Sequence, residues 1–136
     1  MMHPEATRRL GHALQAISSI QRYTANAPLP ECLADDLTCS AVLRQLGIVQ
    51  EALRVALLEE PSLRQTWPQV DSWLEACARM RDWQHPVGLE ELVGFVAGDL
   101  QMWQGTLAEG LRLQQDEGAK LDRQIAENLR RLKYDF

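Results

Sequence analysis

The sequence lacks most of the local patterns that mark an enzyme class. It has no G-x-G-x-x-G and no P-loop glycine pattern to cradle a nucleotide phosphate, and no G-x-S-x-G turn to present a nucleophilic serine. Cys32, Cys39 and Cys77 are odd in number and have no C-x-x-C spacing, so they support neither a disulfide framework nor a zinc site. A reducing compartment is the simpler reading. No apolar run is long and uninterrupted enough to cross a bilayer, and no membrane association is expected. The start, Met1-Met2-His3-Pro4-Glu5, has no basic region followed by an apolar run, which predicts no secretory signal and a cytoplasmic protein. Also missing is the strict two-residue alternation of a half-buried strand.

What is present fits one soluble helical domain spanning 1–136. A length of 136 residues encloses a real core without calling for a second domain. A net charge of -5 argues against non-specific coating of nucleic acid, whose affinity comes from many Lys and Arg contacts to phosphate. A small, locally basic site remains compatible with that balance.

Leu10, Ala13, Leu14, Ile17 and Ile20 recur at helical spacing between Pro4 and the Asn26 to Pro30 break, predicting a first amphipathic helix. Pro28 and Pro30 mark a loop, and Asp35 or Asp36 suits the N-cap of a second helix running to about Glu60. That helix carries two apolar stripes, Cys39, Val42, Leu46, Val49, Leu53 and Ala56 on one side and Ala41, Ile48, Ala52 and Val55 on another. So wide an apolar face suits a central helix or one shared with a partner. Its polar remainder, Arg44, Gln50, Glu51 and Arg54, reads as a solvated strip with local ion pairs. Pro61 to Pro68 reads as a connector anchored by Trp67.

A third helix is expected from Val70 or Asp71, burying Val70, Trp73, Leu74 and Cys77 and ending at His85, because Pro86 disfavours helical geometry in the residue before it. Leu89, Leu92, Val96, Leu100, Trp103, Leu107 and Leu111 then repeat with near-heptad spacing, the pattern of a long bundle helix. A last piece with Leu121, Ile125, Leu129 and Leu132 either continues that helix or folds back as a fifth. The four tryptophans read as packing. The fold class expected is all-α, an up-down bundle of four to five helices.

The segment Arg79-Met80-Arg81-Asp82-Trp83-Gln84-His85-Pro86 is the strongest candidate site, with two guanidiniums and an imidazole at a predicted helix end. A guanidinium matches phosphate oxygens, and an imidazole exchanges a proton near neutral pH. Arg79 follows Glu75 by four and reads as an exposed ion pair. Arg81 follows Cys77 by four and Leu74 by seven, which sets it beside the buried stripe. If helix persists to Pro86, His85 lies four beyond Arg81 on the same side and the two converge. His85 is then a general acid or base for phosphodiester cleavage, and Arg81 stabilises charge on the phosphate. The competing structural reading gives His85 to the helix dipole and Arg81 to packing of its stem. His3 and His12 lack metal-ligand spacing to nearby carboxylates and are given no role. No metal or cofactor is expected.

The order of features resembles the HepT-like toxins of the HEPN fold over roughly residues 10–107, with 108–136 as a helical extension. Leu46-Gly47-Ile48-Val49-Gln50-Glu51-Ala52 is similar to that family's leucine followed by an isoleucine-glycine-glutamate-alanine stretch. Pro61-Ser62-Leu63-Arg64-Gln65-Thr66-Trp67-Pro68 resembles its connector, and Asp99-Leu100 matches an acid-leucine pair on its last core helix. The family signature is an arginine, four to six residues and a histidine, with a tyrosine two residues later. Arg79 meets that spacing with five intervening residues; Met80-Arg81-Asp82 better matches the residues opening the motif but leaves three. Val87 stands at the tyrosine position.

The resemblance implies a metal-independent endoribonuclease acting as the toxin of a toxin-antitoxin pair, with Arg81 on phosphate, His85 transferring the proton and Arg79 as the alternate arginine. It also implies a homodimer whose motif helices line one cleft, and a minimal nucleotidyltransferase antitoxin as partner. The alternative is a HEPN helical protein that keeps the dimer and the partner but does not cleave RNA. The three-residue spacer and Val87 point that way.

Overall fold

The structure, a computed structural model, describes residues 2–135, with side chains through Arg131. The chain forms α1 (Pro4–Tyr23), α2 (Leu29–Ala34), α3 (Asp36–Glu59), α4 (Leu63–Thr66), α5 (Val70–Met80), α6 (Leu89–Gly94), a π-helical turn (Phe95–Asp99) and α7 (Leu100–Asp135). Among the described residues there is no strand, and no helix is long and apolar enough to cross a membrane. The all-helical bundle follows the periodicity of the sequence.

The longest helices start and stop where local chemistry dictates. Pro4 opens α1 at a position where its missing N–H costs nothing, and the His3 ring accepts from the Glu5 N–H. Asp35 caps α3, its carboxylate accepting from the Thr38 N–H at 2.9 Å and from the Thr38 hydroxyl at 2.8 Å. Both interactions hold its carboxyl below its ordinary pKa, against a smaller opposing effect of desolvation.

The α1/α3 contact is the most extensive in the molecule. Leu10, Ala13, Ile17 and Ile20 of α1 and Val42, Leu46, Val49, Leu53 and Ala56 of α3 are all buried in one core. The second stripe of α3 divides: Ala52 is buried, Ala41 and Val55 are half-buried, and Ile48 is exposed. Gln21 and Gln104 exchange reciprocal amide hydrogen bonds at 2.7 and 3.1 Å, tying α1 to α7. Cys77 is buried in the same core, and desolvation pushes its thiol up to about 12, with the nearby Arg81 charge acting in the opposite direction.

Three tryptophans form the other half of the core. Trp73 of α5 stacks on Trp67 at 6.3 Å and on Trp103 at 5.2 Å, and Phe95 meets Trp103 edge-on at 5.2 Å and 83°. Trp83, expected to pack with them, is instead 83% exposed.

Three segments depart from expectation. The Pro28 to Pro30 loop contains a short helix, because Leu29 and Pro30 occupy helical first-turn positions that tolerate proline. α5 ends at Met80, five residues before His85. The cause is Asp82, whose Oδ1 accepts the N–H groups of Gln84 at 3.0 Å and His85 at 3.2 Å, giving the backbone an alternative to the helical ladder. The near-heptad segment is helical throughout but passes through the π turn, and the last amphipathic piece continues α7 rather than folding back. Leu121, Ile125 and Leu129 there are exposed; the side chain of Leu132 lies outside the described set.

Gly110 lets α7 approach the connector. A Cβ there would lie 2.6 Å from the Trp67 ring, whereas one at Gly105 meets nothing within 4 Å. Alanine gains about 1 kcal/mol over glycine in a helix, but forcing a methyl into packed surroundings costs about 1–3 kcal/mol. Gly110→Ala is therefore expected to lower the urea midpoint and Gly105→Ala to raise it. Midpoints that rise alike would show that Trp67 yields without cost.

Candidate functional site

The turn after α5 carries the residues singled out from the sequence. Arg81 is the C-terminal cap of α5, its N–H bonded to the Cys77 carbonyl at 3.2 Å. Its guanidinium reaches across to α3, where Nη1 donates to Gln50 Oε1 at 2.8 Å. It also lies against the backbone of Gly47: a Cβ at that position would be 2.8 Å from the guanidinium carbon. The absence of a side chain at Gly47 is what permits this approach. The expected placement of Arg81 beside the core thus becomes an exposed guanidinium resting on a neighbouring helix.

His85 is not on a helix with Arg81. With α5 stopped at Met80, the imidazole stands on the Asp82 turn, its Nδ1 3.3 Å from Asp82 Oδ2 and its side chain 83% exposed. Desolvation acts to raise the Asp82 pKa, but the N–H groups of Gln84 and His85 and the facing imidazole outweigh it and lower the carboxyl below its ordinary value. Asp82 therefore stays anionic and orients the ring, leaving Nε2 toward solvent. No hydrogen bond joins Arg81 to His85 among the described residues, so the helical convergence expected from spacing is not formed. Arg79 is exposed, as its phase predicted, but its ion-pair partner is Glu91 of α6 rather than Glu75.

Trp83 projects between these groups in sequence, and helps line a small apolar cavity of about 170 Å³ with Cys39, Leu43, Arg81, Pro86 and Val87. The turn carries an exposed indole as a stacking face and an oriented imidazole as a proton carrier, while the cation of Arg81 rests on α3. The sequence signal for it was the placement of Trp83 between Arg81 and His85, outside the 70, 73, 77 stripe.

Arg81 also borders a second and larger cavity of about 390 Å³, with Arg9 and His12 of α1 and Arg44, Gly47, Ile48, Glu51 and Ala52 of α3. By spacing alone His12 carries no role, and Arg44 and Gln50 belong to a solvated strip of α3. Among the described residues, Glu51 and Arg54 alone form the local pair expected of that strip, at 2.6 Å. The legible trace was spacing: residues 9 and 12 share a face of α1, and 44, 47, 48 and 51 share a face of α3. Among the described residues no group of three or more His, Cys, Asp or Glu side chains is placed to hold a metal ion.

No family model matches this chain, and no solved structure matches it.

Arg9 enters the cavity from a cluster with its own charge balance. Glu5 receives Arg8 at 2.9 and 2.6 Å and Arg9 at 2.9 Å, and these hydrogen bonds hold its carboxyl down at about 2. A depressed carboxylate stabilises the fold above its unfolded pKa, and that contribution is lost as pH falls through the folded value. Glu5→Gln is expected to lower the urea midpoint at neutral pH, with the difference from wild type vanishing as pH approaches about 2. A difference independent of pH would assign the effect to something other than the charge.

Proposed function

We propose that this protein is a HepT-like toxin component acting on RNA as a metal-independent endoribonuclease. The observation that carries the reading is the α5 turn, where exposed Trp83, exposed Arg81 and an Asp82-oriented His85 stand within five residues. A splayed base stacks on the indole, a mode that serves single-stranded RNA and tolerates any base. Arg81 neutralises charge on the adjacent phosphate, and its free nitrogens remain available because only Nη1 is committed, to Gln50.

The cleavage assigned to His85 uses the RNA's own 2′-hydroxyl. His85 Nε2 accepts the hydroxyl proton as the 2′ oxygen bonds to phosphorus; the bond from phosphorus to the 5′ oxygen breaks, and that oxygen takes up a proton from water, leaving a 2′,3′-cyclic phosphate. Asp82 stabilises the imidazolium through Nδ1. Pairing of two such turns across a homodimer, with a nucleotidyltransferase as antitoxin, is what the sequence resemblance implies.

A second reading is binding of RNA and partner without cleavage. The end of α5 at Met80 favours it, since Arg81 rests on α3 while His85 rests on its own turn. Val87 in place of the motif tyrosine offers no hydroxyl for modification by the partner.

Incubation of purified protein with structured RNA in chelator separates the two. Cleavage leaving cyclic phosphate ends is expected, reduced at least 100-fold in His85→Ala and Arg81→Ala. Trp83→Ala is expected to weaken RNA binding by about 1–3 kcal/mol. Activity equal in wild type and His85→Ala would eliminate the nuclease reading while leaving binding to be judged by Trp83→Ala.

A further inference from the structure

A separate concentration of positive charge lies in the cavity between α1 and α3, distinct from the Trp83 and His85 turn and sharing only Arg81 with it. Three guanidiniums, Arg9, Arg44 and Arg81, and the imidazole of His12 face one carboxylate, Glu51, in a chain whose net charge is -5. Charge of this sign does not gather by composition alone in an acidic protein.

The commitments of these groups leave the cavity cationic. Glu51 accepts from Arg54 Nε at 2.9 Å and from Arg54 Nη2 at 2.6 Å, hydrogen bonds that lower its pKa, and the charge of Arg9 acts in the same direction. Arg9 uses Nε on Glu5, an acceptor it shares with Arg8. Arg81 uses Nη1 on Gln50. Arg44 and His12 make no hydrogen bond or ion pair among the described residues. Arg9, His12, Arg44 and Arg81 thus line one open space of about 390 Å³, and Arg44 and His12 have no acceptor among the described residues.

The floor is backbone. Gly47 brings the Arg81 guanidinium down onto α3, since any Cβ would stand 2.8 Å from its carbon and from Nη2. Arg44 precedes Gly47 by three residues and so rises from the same face of α3, and His12 follows Arg9 by three on α1. Guanidinium groups from α1, α3 and the end of α5, with an imidazole lining the same cavity, suit the oxygens of a tetrahedral anion, and guanidinium binds them with two parallel donors where lysine offers a point charge.

We propose that this cavity is a phosphate-binding site, in which Arg44 and Arg81 hold the phosphate oxygens, Arg9 supplies long-range positive charge and His12 donates a hydrogen bond to the anion. The ligand chemistry is a phosphate group, supplied either free or by an RNA backbone. The site stands whether or not His85 cleaves RNA.

Titration of inorganic phosphate into the protein, followed by NMR of the His12 ring and arginine Nε–Hε resonances, tests it. Saturable shifts of His12, Arg44 and Arg81 are expected, with affinity lowered about tenfold or more in Arg44→Ala and in Arg81→Ala, each having lost a charge-assisted hydrogen bond. Arg44→Lys is expected to recover part of the loss. Gly47→Ala displaces Arg81 without deleting it and is expected to match Arg81→Ala; chloride at equal ionic strength serves as control. An oligoribonucleotide without terminal phosphates that reproduces the shifts and competes with phosphate identifies the backbone as the source; shifts with phosphate alone identify a free phosphate. Shifts that do not saturate, or that are the same in wild type, Arg44→Ala and chloride, would overturn the proposal. Loss of cleavage in His85→Ala with phosphate binding intact would separate this site from the nuclease reading.

Discussion

Stacking at Trp73 is the constraint on which the arrangement of the second half of the molecule depends. Its ring lies between those of Trp67 and Trp103, so one side chain of α5 fixes both the connector and α7. Aromatic faces tolerate offsets but not separation, and each ring buries a large apolar area. Phe95 then closes against the edge of Trp103, which sets the π turn against the same column. The α1/α3 pair supplies aliphatic packing on the other side, and α5 touches both halves through Trp73 and Cys77.

α5 is held in the core through its last residue, Met80, and the chain beyond it answers to local chemistry. Asp82 takes the two N–H groups that would have extended the helix, and the chain leaves the bundle as an exposed turn. A rigid helix ending in a short polar turn presents side chains to solvent from a fixed base. The same break directs Arg81 sideways onto α3 instead of along α5, and so makes it common to two cavities.

The parts of the fold that sequence made legible are those in which periodicity and capping agree. Asp35 with Pro28 and Pro30 before it, and Pro61 after Glu60, bracket α3 to within a residue. The stripe of Val70, Trp73 and Cys77 defined the buried face of α5, but Pro86 restrains only His85, and the competing side chain at Asp82 sits inside what periodicity alone extends. The α6 to α7 segment kept its apolar spacing while changing its hydrogen-bond register at Phe95 to Asp99, a shift that spacing does not encode. Of the site, Arg81 and His85 were found by residue type, whereas Arg44 and His12 were not. Their significance lies in a juxtaposition of α1 with α3 that belongs to tertiary packing, and each is unremarkable on its own helix.

Gly110 gives the long helix a defined longitudinal position. The Trp73 and Trp103 stack opposes sliding of α7 near its start, and the close approach at Gly110 adds a second fixed point further along the helix. The Trp67 ring meets α7 at Gly110, where the backbone is bare. The indole and the glycine therefore act as a detent, setting the register of α7 against the bundle and, through the Gln21 and Gln104 amides, against α1 as well.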